Sequence, residues 1–468
     1  MSTSRDIAQL VAAAKPAVFW SDSPDAPRAA TPLHGAASAD LVIIGAGFTG
    51  LWAALQAVEE NPGRSVMVLE ADVAGFGASS RNGGFCDASL THGLLNGVEH
   101  WPEEIDTLVA MGQQNLDEIM DTIERHRIDA HAHRADEVDV AIAEWQLADL
   151  DEAASTHASH GASVTLLDED GARSIADSPT YLGGLVHHDS IALVDPARLV
   201  WGLRDACERL GVVFHDNSRV TGVEPDGIRL RVRTARGHVV ADRVIAATNA
   251  WAEPLKKIRR WVIPIYDHVL MTEPLSASQM DAIGWSGREG LADASNQFHY
   301  YRLSHDNRIL WGGYDANYYK GNGMGPEYER QTDSHETIAQ HFFDTFPQLD
   351  GLGFSHRWAG PIGTTSKFSA TWGTDFDGRL AWVAGYTGLG VGASRFGAGV
   401  CLDLVDGLTT ERSQLAMVRI KPMPFPPEPL RNAVIQFTRS QITKADANNG
   451  EPGPWLRLLS RLGIGFDS

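Results

Sequence analysis

The residues with the clearest chemistry sit in three glycine-rich segments. The first, Gly45-Ala46-Gly47-Phe48-Thr49-Gly50, is a full GxGxxG. Its first glycine permits a tight turn, its second lets a pyrophosphate approach the backbone, and its third lets a helix pack closely on a strand. The helix start after it offers N–H groups and the positive end of a dipole to phosphates. Twenty residues after Gly50 stands Glu70, where a carboxylate can accept both hydroxyls of an adenosine ribose.

Two kinds of dinucleotide share that first unit, so the choice rests on residues further down the chain. Gly75-Phe76-Gly77-Ala78-Ser79-Ser80-Arg81-Asn82-Gly83-Gly84-Phe85 is a second cradle. Its small residues allow close backbone approach. Ser79, Ser80 and Asn82 supply neutral donors, and Arg81 offsets phosphate charge. The third segment, Gly385 to Val391, contains Gly388, Leu389, Gly390 and Val391 between an apolar run and a helical pattern. A helix N-terminus there, aimed at a flavin's pyrimidine edge, stabilises the charge that builds on reduction. A nicotinamide cofactor needs only the first segment, whereas FAD needs all three.

A flavin carries the hard redox step itself, so it asks little acid–base machinery of the protein. It asks for a dry wall and an orienting contact for whatever it oxidises. The strand Phe298-His299-Tyr300-Tyr301-Arg302 offers such groups, with His299 and Tyr301 on one face and Tyr300 and Arg302 on the other. The sequence leaves open which face meets the flavin. Tyr266 and His268 share a face of the run Val262–Leu270, and Trp358 can wall the pocket. The candidates for the substrate wall are therefore Tyr266, His268, His299, Tyr301, Arg302 and Trp358. His187-His188-Asp189 has the residue types of a metal site, but adjacent strand histidines point to opposite faces and no further ligand spacing supports it. No metal is expected.

The elements that must position these residues follow from periodicity. Asp40–Ile44 and Ser65–Leu69 are apolar runs of strand length, and Phe48–Glu60 between them is helical until Asn61-Pro62-Gly63 stops it. Helical patterns fill much of 103–160. From about residue 180 strands dominate, at 228–234, Val239–Ala247, Val262–Leu270, Phe298–Leu303 and Arg308–Trp311. Next come a helix near 335–346, a buried strand Leu380–Ala384 and a long helix to about Asp406. Residues 1–39 read as an irregular lead-in with one short helix at Ile7–Ala14. After a proline-rich connector, a polar helix near 431–445 is expected to wrap the surface.

Composition bounds the partners. The chain has 39 Lys plus Arg against 60 Asp plus Glu, a formal charge of −21. Nucleic-acid binding needs concentrated basic surface, so it is not expected. No apolar run approaches the ~20 residues that span a bilayer, and the N-terminus lacks the pattern of a signal peptide. Cys86, Cys207 and Cys401 are far apart and form no CxxC. The expected setting is the cytoplasm, with a small molecule as partner; the oligomeric state is left open.

The stretches DLVIIGAGFTGLWAAL, VLEADVAGFGASSRNGGF, WAG and AGYTGLGV resemble the D-amino-acid oxidase superfamily of FAD-dependent oxidoreductases. SSRNGGF and RRWVIPIYDHVLMTEPL look closest to its gamma-glutamylputrescine oxidoreductase branch. The resemblance runs from about residue 40 to 410. It implies an α/β fold with α+β character: a Rossmann-like FAD-binding domain (40–100, 180–250 and 355–407), interleaved with an antiparallel-sheet substrate domain (101–179 and 251–354), then a C-terminal extension (408–468). Carried over by motif, the flavin site takes the turn Gly45–Gly50, then Glu70 and Ala71, and the cradle Gly77 to Phe85. Val220 falls where the family clamps adenine, and Thr248-Asn249 ends the strand under the cofactor. Gly360 and Gly388–Val391 lie where the family's loops meet the flavin ring.

Two departures shape the expected substrate. Where glycine oxidase places an Arg that grips the α-carboxylate, this chain has Ile362 in Trp358-Ala359-Gly360-Pro361-Ile362. An aliphatic side chain cannot replace a bidentate carboxylate partner. Sarcosine oxidase attaches its flavin to a cysteine in the same stretch; here there is none, so FAD is expected to bind non-covalently. The expected reaction is oxidation of a primary or secondary amine without an α-carboxylate to an imine that hydrolyses, with dioxygen as acceptor. The alternatives are a glycine-, sarcosine- or D-amino-acid-type oxidase or dehydrogenase using Arg302 for the carboxylate, and a non-catalytic FAD-binding subunit.

Overall fold

The computed structural model describes residues 6–253 and 255–464. Residues 1–5 of the lead-in, Pro254 and residues 465–468 of the C-terminal stretch lie outside them.

Two sheets organise the chain. Leu41-Val42-Ile43-Ile44, buried on both faces, ends the strand Gly35–Ile44. That strand runs parallel between Val66–Leu69 and Gly237–Ala246, pairing Ile43 with Val68 on one side and Ile245 on the other. Leu380–Ala384 extends the sheet in parallel beyond Gly237–Ala246, and Val213–His215 extends it beyond Val66–Leu69. The hairpin Val220–Asp226 and Arg229–Thr234 pairs onto the first half of Gly237–Ala246. Continuous Val/Ile/Leu runs are what a parallel strand covered by helices requires. The covering helices are Phe48–Glu60, Pro196–Arg209 and Gly390–Asp406.

The second sheet has the order 354–364, 263–272, 309–313, 299–303, 290–293, 133–141, 183–193, 85–87, with 164–167 paired on 183–193. One face carries the helix Asp333–Thr345 and an aromatic core that includes Tyr181, Trp285, Tyr301, Trp311, Phe342 and Phe346. The other face turns to the first sheet across a shared cavity.

Phe85–Asp87, Gly183–Leu193 and all but the first residue of Phe354–Thr364 fall within the stretches assigned to the FAD-binding domain, and all hydrogen-bond into the second sheet. Conversely the helix Ile105–His126, expected in the substrate stretch 101–179, buries Leu108, Leu116 and Ile119 in the core around Phe48–Glu60. Sheet membership is decided by hydrogen bonds over long separations, which strand-length runs do not encode. The stretch 103–160 also holds the strand His133–Ala141. Val138 and Val140 face the core, while Glu137 and Asp139 on the opposite face break the apolar pattern.

The N-terminal helix forms over Ile7–Ala13, capped by the Asp6 side chain. The chain after it is held to the second sheet, where Lys15 bridges His356. The helix Leu430–Asp446 does not merely wrap the surface. Its inner side closes the cavity.

Candidate flavin and substrate site

The turn after Gly35–Ile44 is as tight as its glycines predict. Gly45 has φ +102°, and a Cβ there would stand 2.8 Å from the Ala247 carbonyl oxygen. A Cβ on Gly50 would stand 1.9 Å from the Gly45 carbonyl oxygen, so the helix rests directly on the turn. Phe48–Glu60 starts from Gly47 without a side-chain cap, and only small atoms of Ser79 approach that glycine. Ser79 Oγ accepts from the Phe48 N–H at 2.9 Å, joining the cradle to the turn. Glu70 accepts from the N–H groups of Ala46 and Asp72 at 2.7 and 2.9 Å; burial raises its carboxyl above the usual range.

A cavity of about 650 Å³ runs past these residues. Glu70, Ala71 and Val220 line one end, and Gly45, Gly47, Phe48, Thr49, Gly77, Ala78, Ser79 and Gly83 line its length. Phe85, Thr248, Asn249, Gly360 and Gly388–Val391 line the far part. The helix Gly390–Asp406 also starts without a side-chain cap, so two helix N-termini open on one cavity. Asn249 Oδ1 accepts from the Gly385 N–H at 2.8 Å, and Thr49 and Tyr386 share a hydroxyl hydrogen bond of 2.9 Å beneath the turn. A long groove with glycine walls and two anion-seeking ends fits an extended dinucleotide.

Four of the predicted cofactor residues shape the groove without lining it. Ala46 gives its N–H to Glu70, Gly50 supports the turn, and Ser80 is buried behind Gly75. The Gly84 carbonyl accepts from Val194 N and from Arg302.

Two others line the groove, but the donor roles expected of them do not hold. The Asn82 amide donates to Ala78 and Ser79 carbonyls and accepts from Gly84 N, so it staples its own loop. Arg81 pairs with Glu329 at 2.7 Å and donates to the Phe76 and Ala359 carbonyls, so its charge is already met. A short glycine loop folds its long side chains back onto itself, and its ligand surface is backbone.

On the substrate side, the six wall candidates do not come together. Tyr266 alone lines the cavity, its hydroxyl accepting from the Gly325 N–H at 3.0 Å. His268 is fully buried with no partner on either ring nitrogen; burial pushes it to about 3, so it is neutral. His299 pairs with Asp293 at 2.7 Å and with His341 at 3.0 Å, and Tyr301 shares a 2.7 Å hydroxyl bond with Tyr181 in the aromatic core. Trp358 donates to the Arg81 carbonyl at 2.8 Å. Arg302 is buried, donates to the Gly84 and Val194 carbonyls and lies over the Trp20 ring. Strand alternation explains most of this: His268, His299 and Tyr301 face the core side of the second sheet.

The cavity face of those same strands carries residues that sequence reasoning missed. Asp267 Oδ2 accepts from the Tyr300 hydroxyl at 2.5 Å, and its Oδ1 accepts from the His268 and Gly313 N–H groups at 2.8 and 3.1 Å. Burial raises the Asp267 carboxyl to about 6, and burial holds the Tyr300 phenol protonated, well above its usual range. Both residues line the cavity, as do Ile362, Asp87 and Glu137. Glu137 is held well above the usual carboxyl range by burial and by the Asp87 charge. The signal was present: an Asp inside the apolar run Ile-Pro-Ile-Tyr-Asp-His-Val-Leu costs free energy unless a site uses it.

Fold and groove together define a flavin-dependent oxidoreductase. The family described as FAD dependent oxidoreductase (DAO) matches residues 40–402, and the chain belongs to it. Among relatives, the "Probable oxidoreductase OrdL" of Haemophilus influenzae is 31% identical over 77% of this chain and 81% of its own length. Gamma-glutamylputrescine oxidoreductase of Escherichia coli is 30% identical over 84% of this chain and 89% of its own. The glycine oxidase structure from Geobacillus kaustophilus superposes with a TM-score of 0.67 at 18% identity, covering 80% of this chain and 96% of that one. The protein is thus an FAD-dependent oxidoreductase. Among the described residues no helix is long and apolar enough to cross a membrane.

FAD, when bound, would take up the electrons of the substrate bond that is oxidised. The chain's own residues would do the rest: the Gly45–Gly50 turn and the start of Phe48–Glu60 would hold the phosphates, the start of Gly390–Asp406 would face the flavin ring, and Asp267 with Tyr300 would orient the substrate. Cys86, Cys207 and Cys401 are buried, and none lines the cavity. Acid precipitation of the purified protein is therefore expected to release all the FAD into the supernatant; yellow colour in the pellet would contradict this.

Proposed function

We propose that this enzyme oxidises primary or secondary amines that lack an α-carboxylate, giving an imine that hydrolyses to a carbonyl product. One observation carries the reading: the substrate wall presents a half-buried carboxylate, Asp267, and on the neighbouring strand Ile362 instead of a guanidinium. Among the described residues the arginines that line the cavity are Arg81, Arg219 and Arg439. Arg81 is paired with Glu329 and Arg439 with Asp315, while Arg219 is an exposed residue next to Val220 at the adenine end. Arg302, the guanidinium an amino-acid oxidase would have used, is spent on backbone carbonyls outside the cavity. A carboxylate entering this wall loses its water without gaining a partner, whereas an ammonium meets Asp267. The name of the Escherichia coli relative, gamma-glutamylputrescine oxidoreductase, agrees with a reacting amine carbon that carries no carboxylate.

Stopped-flow reduction without oxygen tests the reading. At equal concentrations, amines without an α-carboxylate, such as acylated polyamines, are expected to bleach the flavin faster than glycine, sarcosine or D-alanine. Glycine or sarcosine winning would overturn it. We take dioxygen as the acceptor, so peroxide should form in step with product once air is admitted; product without peroxide would assign another acceptor.

A further inference from the structure

The family match ends at residue 402, yet the helix Leu430–Asp446 supplies part of the cavity wall. Val434, Ile435, Thr438, Arg439 and Ile442 line it. Their spacing of i, i+1, i+4, i+5 and i+8 is one stripe of an α-helix. Gln436, Phe437 and Ser440 on the other side are exposed. Such a stripe is ordinarily spent on a protein core, and here it faces an open space.

The helix is fixed in place. Asp446 accepts from the Asn296 side chain at 2.7 Å and from the Gln297 N–H at 3.0 Å. Gln436 donates to the Tyr318 carbonyl at 3.0 Å, and Arg431 to Asn322 at 2.8 Å. Arg439 is ion-paired with Asp315, and Trp455 of the next helix donates to Thr438 at 2.9 Å. With Arg439 neutralised, what the stripe offers a ligand is methyl surface.

Resting on the amine reading above, we propose that Leu430–Asp446 is the specificity wall of this enzyme, selecting amines whose non-reacting end is an extended apolar chain lying on Val434, Ile435 and Ile442. The transfer free energy of a buried methylene corresponds to about a fourfold gain in kcat/KM for each one added.

The test uses the full-length, flavin-loaded enzyme and the series from propylamine to hexylamine. Flavin reduction is expected to rise roughly threefold to fourfold per methylene. The double variant Ile435→Ser with Ile442→Ser should cut this to less than about twofold, and Val434→Thr should lower it part-way. Ser440→Ala, on the exposed side, should keep the full slope. Flavin absorbance per chain reports whether each variant folds. Hydrogen exchange within 430–446 should slow on adding hexylamine but not propylamine. A flat series in the unmodified enzyme, or a slope that survives the double variant, overturns the wall while leaving the amine reading intact. Putrescine outrunning butylamine also overturns it, and moves recognition of the far end to Asp87 and Glu137. Failure of every amine to reduce the flavin overturns both readings.

Discussion

Replacing Asp267 with Asn is expected to lower kcat/KM for the best amine by roughly 10²- to 10⁴-fold, the range for a positioned acid–base group. Asn keeps the shape and can still bond the Tyr300 hydroxyl and the two backbone N–H groups that hold Asp267. What it loses is the charge that meets the ammonium and the site that takes its proton. The carboxyl is raised to about 6, chiefly by burial, against the lowering effects of Tyr300, the His268 and Gly313 N–H groups and His299. It is therefore ionised above that pH and protonated below it. In the unmodified enzyme kcat/KM should fall as pH drops through about 6, and this acidic limb should vanish in the variant. Equal FAD content in both proteins separates chemistry from folding. A loss smaller than about threefold, or an unchanged limb, would remove Asp267 from the mechanism.

Glu70→Ala is expected to weaken FAD by about 1.5–3 kcal/mol, the range for hydrogen bonds to a charged group, or roughly 10- to 140-fold in Kd. The structure adds a second contribution of the same sign. Glu70 holds the Ala46 N–H inside the glycine turn, so its removal loosens the turn as well as the ribose contact. Glu70→Gln should recover part of the loss, since its amide oxygen can still accept from Ala46. Fluorescence titration of FAD into the apoproteins measures both. An unchanged Kd in the alanine variant would refute the ribose role.

What was legible in the sequence divides by the range of the information. The glycine turn, the cradle and the Gly388–Val391 loop are local, and Gly45, Gly50, Gly75, Gly84 and Gly388 are dictated by a neighbouring backbone or by their own φ. Their elements therefore emerged with boundaries within a few residues. The substrate wall was less legible because a strand has two faces and the sequence does not say which is wet. Tyr300 and Asp267 are one residue from His299, Tyr301 and His268, so the right strands were chosen, with Tyr266 reaching the cavity and those three in the wrong phase. The long polar side chains misled for another reason. Arg81, Asn82 and Arg302 look like ligand donors, but each satisfies carbonyls of its own scaffold. The cavity-facing stripe of Leu430–Asp446 was masked by Thr438 and Arg439 within it, which read as polar surface.

The groove is assembled from residues as far apart in the chain as Gly45 and Val391, with a wall that continues to Ile464. This sets a timing for cofactor loading during synthesis. A nascent chain that has left the ribosome as far as residue 380 already has the glycine turn, Glu70 and the cradle. It lacks the second helix end and the whole closing wall. Domains form as units while the chain elongates, but here the groove that would hold flavin is complete only once the Gly388–Val391 loop has emerged. FAD is thus expected to be captured by chains that have grown past that loop. Products truncated before the Gly388 loop should stay colourless however much flavin the cell contains, which makes colour itself a report on how far synthesis has run.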